Sequence, residues 1–373
     1  MYYAIFPSLD STIYELFPLR NTGIDQILEL KKISRNIVDI DGYYYGDIYN
    51  SRILIKFNLN NISSSISSGT FSGSNFQYFL NLKATEAVNL PTSYTVYCYP
   101  ISESWENGVG NYNDYPQVKE GVSWRYRDGY RTGNGTEWSL SDFVSDTTGS
   151  YNTESGGANW YYGESYECSQ SFDYVNPDLR IDVTKIIKLW LSGSIVNNGF
   201  IIKRSDSDEA SAAHLGSIKY FGKDTHTVFS PKLEVLWDDA DLSGLSSFTQ
   251  ISNSEIIVSF KDFRKEYKEN TVAKIRFSVR DRFPARTYST SSYYSANKRL
   301  PQNSYFSIVD TATKNIIIDF GDHSKVSCDS NGNYVKINFN SFLPERFYSI
   351  IFKCEIDDST IFIDNGFDFK VVR

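Results

Sequence analysis

The chain has 373 residues, with 37 Lys+Arg against 45 Asp+Glu and a formal net charge of -8. Its length allows two or three domains, each with its own core, and 40% apolar with 22% charged residues excludes a charge-driven disordered chain. The net charge has the wrong sign for a phosphate binder, and apolar runs such as Ile316–Ile318 fall far short of the roughly 20 residues of a membrane-spanning helix, so neither nucleic acid nor membrane is an expected partner. The opening MYYAIFPSLD lacks a basic stretch followed by an apolar one, so no secretory signal peptide is expected.

Tyr and Phe number 28 and 25, while there are only 3 His and 1 Met. Tyr, Phe, Ile, Val and Thr suit half-buried strands, so the composition predicts an all-β protein. In chain order, alternating apolar and polar residues predict strands at Arg52–Leu59, Tyr78–Lys83, Tyr94–Tyr99, Phe200–Lys203 and Lys232–Trp237. Asn60–Gly73, mostly Asn, Ser and Gly, reads as a breaker between the first two. Val183, Ile186, Ile187 and Trp190 fall at i, i+3, i+4 and i+7, which predicts one short amphipathic helix over Asp182–Leu191. Asp182 suits its N-cap and Gly193 its stop.

Residues 104–174 differ from everything around them. They are dense in Gly, Asn, Ser, Tyr and Trp, the vocabulary of recognition surfaces, and so long a loop in a compact domain is functional or pinned to a neighbour. Trp138 and Trp160 are the expected exposed platform, with Tyr126 and Tyr130 beside them as an interaction surface, while Trp105 and Trp124 are expected to anchor loops or core.

A boundary is expected near residue 240. All six tryptophans precede it, and residues 1–239 carry 19 basic and 29 acidic side chains against 18 and 16 in residues 240–373. The second part, 242–373, shows seven or eight short strand runs and a hairpin turn at Asp329–Asn333, which suggests an immunoglobulin-like sandwich. The expected architecture is therefore all-β, with a jelly-roll-like sandwich at 1–239 carrying the insert and an immunoglobulin-like sandwich at 242–373.

Catalytic vocabulary is thin. There is no GxSxG, HExxH or P-loop, and His214, His226 and His323 each lack a motif partner. Asp206, Asp208 and Glu209 form an acidic cluster that reads more plainly as a turn between strands than as a glycosidase pair. Lys261–Lys268 and Arg276–Arg286 are basic but interrupted by acids, which weakens any phosphate-binding reading. Cys98, Cys168, Cys328 and Cys354 show no metal-site spacing; free buried thiols are expected, with Cys98–Cys168 and Cys328–Cys354 bridges as the alternative.

Five segments in order resemble the DNRLRE-type β-sandwich, a jelly-roll module akin to carbohydrate-binding domains. They are Asp10–Ile13, the strand SRILIKFNL at 51–59, the ESW at 103–105 with GVSW at 121–124, the DVTKIIKLWLSG at 182–193 with NGF at 198–200, and SPKLEV at 230–235. The stretches GVSWRYRDG, SGSIVNNGFIIKRS and FGKDTHTVFSPKLEVLWDD are also similar to structural proteins of T4-like tailed phages. The resemblance implies a non-enzymatic virion component of the tail, neck or baseplate, made in the host cytoplasm, whose partners are other virion proteins and copies of itself. A glycan-binding adhesin or receptor-binding module is the alternative it implies. No cofactor is expected beyond a structural calcium that related sandwiches carry, for which Asn111–Asp114 offers oxygen atoms without the spacing of a calcium loop.

Overall fold

A computed structural model describes residues 1–38, 44–129, 135–139, 156–173, 176–252, 254–284, 298–356 and 359–373. Strands take 47% of the described residues and helices 8%, which makes the protein all-β, as the composition predicts. Among the described residues no helix is long and apolar enough to cross a membrane. The chain forms two compact units: Ile5–Ser68 with Gln77–Glu234, and Val235–Arg373 with Met1–Ala4 and Gly69–Phe76. The first carries the Trp-rich insert and the second is called here the C-terminal unit.

The insert-bearing unit is built on an eight-stranded sheet. Its order is Cys168–Asp173, Ser93–Pro100, Phe200–Lys203, Tyr44–Lys56, Ile27–Val38, Gly216–Phe221 and Ala84–Val88, with Leu9–Tyr14 also paired to Tyr44–Lys56. The long strand Tyr44–Lys56 changes partner along its length. Residues 44–50 pair with 32–38, and residues 51–56 pair with 9–14. A second antiparallel pairing joins Phe79–Leu82 to Leu179–Asp182.

The period-two pattern at Arg52–Leu59 predicts one buried face, yet Ile53, Leu54 and Ile55 are all fully buried. Leu54 lies opposite Ser11 and Ile201, and Ile201 lies opposite Tyr99, so these three apolar side chains share one face of the sheet. Ile53 and Ile55 point the other way, since successive strand residues alternate. Both faces are therefore covered, and the layer over the Leu54 face is the insert.

The helix predicted from Val183, Ile186, Ile187 and Trp190 forms at Thr184–Leu191, with all four residues buried. The cap differs from the expectation: Val183 holds the N-cap position without a side-chain cap bond, and Asp182, one residue earlier, accepts from Thr184 N through Oδ1 at 2.9 Å. Gly193 ends it in the left-handed region at φ +74°, its N–H donating to Trp190 O. Two further helices, Asn60–Ser67 and Asp206–Ala210, accompany the one expected. The first has low intrinsic propensity but buries Ile62 completely, so tertiary burial overrides its Asn and Ser content. The second replaces the expected acidic turn and starts at Ser205, whose Oγ accepts from Asp208 N at 3.0 Å.

The C-terminal unit holds two sheets. One has the order Ile256–Phe260, Val272–Asp281, Gly332–Asn338, Ser327–Asp329, and the other Glu266–Lys268, Ser359–Val372, Arg346–Ile356, Ser304–Asp310, Ile316–Ile318. Its buried side chains are strongly aromatic. Phe277 and Phe352 lie 4.9 Å apart, and Phe369 meets Phe339 at 5.6 Å and Tyr348 at 5.8 Å. The predicted hairpin is present, with Gly332 at φ +110° taking the conformation that a β-carbon would strain. Ser359–Val372 forms one long strand, with a register shift against Arg346–Ile356.

Candidate interaction site

The Arg52 side of the eight-stranded sheet is roofed by the insert. Trp105, Trp124, Trp138 and Trp160 pack with Ile13, Leu54, Tyr99, Ile101 and Ile201 in one apolar cluster. Main-chain bonds fasten the roof, including Ser102 N to Asn159 O, Tyr161 N to Pro100 O and Gly157 N to Trp124 O. Two of the indoles donate inside it, Trp105 Nε1 to Asn198 O at 2.8 Å and Trp138 Nε1 to Ser123 O at 3.0 Å.

This placement corrects the expected platform. Trp138 is 4% exposed and Trp160 1%, so neither ring is free to stack on a ligand. A large flat ring buries more apolar area than any other side chain, and here that area covers a sheet face that would otherwise be wet. Of the four expected surface residues, Tyr126 is half-buried beside Arg125, whose guanidinium carbon lies 5.5 Å from its ring, and Tyr130 lies outside the described residues. Trp105 and Trp124 do anchor the core, as expected.

Charge enters this apolar layer at Arg52. Arg52 lies on the same face as Leu54, with its guanidinium carbon 4.7 Å from the Trp124 ring and 5.0 Å from that of Trp160. Its Nη2 donates to Glu209 Oε2 at 2.7 Å and its Nη1 to Gly157 O at 2.5 Å. Lys203 Nζ pairs with the same Glu209 oxygen at 3.1 Å, pairs with Asp206, and lies 4.9 Å from the Trp160 ring. Lys32 Nζ donates to the Glu209 main-chain carbonyl. Gly157 is required for the fit, because a β-carbon there would stand 2.3 Å from Arg52 Nη1 at φ +83°.

The electrostatics follow from burial and pairing. Burial alone would push the Glu209 carboxyl up, but the Arg52 and Lys203 charges and hydrogen bonds outweigh it and hold the group below the usual carboxylate range. Burial pulls the Lys32 ammonium down, opposed by Glu15 and Glu209. Glu209 is thus an ionised clamp on two cations, a state that suits neither a proton donor nor a free nucleophile.

Elsewhere, His214 and His226 are exposed, while His323 Nε2 lies 2.9 Å from Asp319 Oδ1. Asp114 turns its carboxylate onto its own loop, accepting from Asn111 N at 2.7 Å. Among the described residues no group of three or more His, Cys, Asp or Glu is placed to hold a metal ion. Sequence reasoning passed over Arg52 and Lys203, although a cation set among Ile and Leu at positions 52–56 and after Phe-Ile-Ile at 200–202 was a visible signal. Glu209 was seen as acidic, but its partner Arg52 lies 157 positions away in sequence.

No protein-family model matches the chain, and no curated protein matches its sequence. Two surfaces remain as open faces. In the C-terminal unit, register places Tyr305, Val309, Phe347, Ile351 and Phe362 on the outer side of the five-stranded sheet, opposite to buried Ile350 and Phe352. On that side Phe362 is 61% exposed and Phe347 55%, and Ile316, paired with Val309, is 60%. In the insert-bearing unit, a cleft of about 570 Å³ is lined by Lys56, Leu59, Asn60, Ser63, Trp190 and Val196, among others.

Proposed function

We propose that the chain is a non-catalytic structural component of a tailed-phage particle, in the tail, neck or baseplate, acting through contacts with other virion proteins and with copies of itself. The observation that carries this reading is the outer sheet face of the C-terminal unit, where Phe347, Phe362 and Ile316 stand exposed on a rigid pleated layer. Apolar side chains grouped on one face mark a surface that another protein covers. The ionic clamp at Glu209 supports the same reading, since two of the three acids that could have suggested hydrolysis, Asp206 and Glu209, are paired with Lys203 and Arg52. Mass spectrometry of purified particles should find the chain in fixed proportion to the major tail proteins, and particles that lack it would end the proposal.

A glycan-binding role is the second reading, and what favours it is the cleft beside Trp190 rather than the insert. Lys56, Asn60 and Ser63 offer polar groups beside apolar Leu59 and Val196, and the Trp190 indole N–H has no hydrogen-bond partner among the described residues. A glycan array in which Trp190→Phe or Lys56→Gln removes a signal seen with the unaltered chain would favour this reading. An array without signal would count against it.

A further inference from the structure

We propose that Cys98 and Cys168 form an oxidative modification site, a pair of opposed thiols that close into a cross-strand disulfide when the chain meets a small disulfide oxidant such as oxidised glutathione. The two residues are direct partners in the antiparallel pairing of Ser93–Pro100 with Cys168–Asp173, which runs through six consecutive pairs without a register shift. Both side chains point to the same buried face, together with Val96 and Phe172, and both are free thiols. Directly opposed residues in such a ladder place their Cα atoms about 4.5–5.5 Å apart. A disulfide spans about 4.4–6.8 Å between Cα atoms, so the backbone already meets its main requirement.

Two further observations make the pair selective. Cys328 lies opposite Asn333, and Cys354 lies opposite Ser304 and Ile361, so neither has a cysteine partner across its ladder. Cys168–Asp173 also lies at the edge of its sheet, with Ser93–Pro100 as its one ladder partner among the described residues, and Cys168 is its first residue. An edge strand can part from its neighbour at far lower cost than a central one. Opening is needed, because burial pushes the Cys168 thiol up to about 12 and the Cys98 thiol well above its ordinary value, and the thiolate is the attacking species.

The chemistry balances within the named reactants. One cysteine thiolate attacks a sulfur of oxidised glutathione, forming a mixed disulfide and releasing one glutathione thiolate. The second cysteine thiolate then attacks the protein sulfur of that mixed disulfide, forming the Cys98–Cys168 bond and releasing the second glutathione. The two protons leave with the two glutathione molecules, and the protein gives up two electrons. The bond closes a loop of about 70 residues that contains Trp105, Trp124, Trp138 and Trp160, so it ties down the whole roof at its two ends.

The test uses the full chain, unfolded in urea and refolded with excess oxidised over reduced glutathione, then quenched in acid, alkylated, digested and mapped by mass spectrometry. The expected result is a peptide linking Cys98 to Cys168, loss of two of the four alkylation sites, and full alkylation of Cys328 and Cys354. The native chain under the same buffer should reach this state much more slowly, and the bridged form should melt several degrees higher, reversed by dithiothreitol. Four alkylated cysteines, a stable mixed disulfide without a bridge, or a bridge using Cys328 or Cys354 would each overturn the assignment. The mapping is read on the unaltered chain, so it does not depend on a Cys168→Ser variant folding.

Discussion

Replacing Arg52 by alanine removes a cation set against both Trp124 and Trp160 and leaves the buried Glu209 carboxylate with Lys203 as its one ion-pair partner among the described residues. Breaking one member of a buried ion pair costs about 3–5 kcal/mol, because the remaining charge has lost its compensation. Each cation–π contact adds about 0.5–2 kcal/mol, and the Gly157 carbonyl loses a charged donor, but contributions in one network overlap and do not sum. The expected loss is therefore about 4 kcal/mol, a large share of the roughly 5–15 kcal/mol that holds a typical domain. Urea unfolding followed by tryptophan emission reads it directly, since five of the six tryptophans lie in the insert-bearing unit. The double variant Arg52→Met with Glu209→Gln removes both charges while keeping the volume, and is expected to recover about half the loss. A cost below about 1 kcal/mol for Arg52→Ala, or a double variant no more stable than the single, would refute the view that the pair is a coupled clamp.

Three other expectations follow from the same structure. Trp138→Ala should destabilise the insert-bearing unit by about 3–5 kcal/mol in urea unfolding, the cost of deleting a buried aromatic ring, whereas an exposed ring would cost under about 0.5 kcal/mol. Burial raises the Asp10 carboxyl to about 7, opposed by the Lys223 N–H and charge and reinforced by Asp224 and Asp25. The folded state then holds its proton longer than the unfolded state, so this group's contribution to stability is present below about pH 4 and falls as pH rises to 7, by at most roughly 4 kcal/mol. Asp10→Asn lacks that loss, so its stability relative to the unaltered chain should climb between pH 4 and 7 and then level off; parallel urea midpoints across that range would show the burial argument to be wrong. Phe347→Asp with Phe362→Asp should leave the melting temperature nearly unchanged, within about 0.5 kcal/mol, while abolishing any self-association seen by analytical ultracentrifugation.

The strand runs were legible because Ile, Leu, Phe and Tyr recur at the spacing that a pleated backbone imposes, and the Thr184–Leu191 helix because Val183, Ile186, Ile187 and Trp190 recur at helical spacing. Helix Asn60–Ser67 was not legible, since a single buried Ile62 outweighs seven residues of weak or neutral preference. The candidate site was read in the right stretch of chain but with the wrong sign. Tyr, Trp, Gly and Asn serve equally well in a surface that grips a ligand and in a loop folded back on its own sheet. What decides between them is the character of the covered face, here Ile13, Leu54 and Ile201, and these residues lie outside the insert, the first two before it and the third after it. Separation along the chain, 157 positions, likewise hid the partnership of Arg52 with Glu209.

That separation has a consequence for how the chain is made. Arg52 leaves the ribosome 157 positions before Glu209, and the four indoles of the roof emerge in between. Throughout that interval the nascent polypeptide has a cation whose carboxylate partner is not yet made and, until residue 201, a string of greasy rings whose resting place still lacks Ile201. Such long-range closure is slow and leaves sticky intermediates. Truncated products ending before about residue 209 should therefore be the ones that chaperones hold and proteases clear.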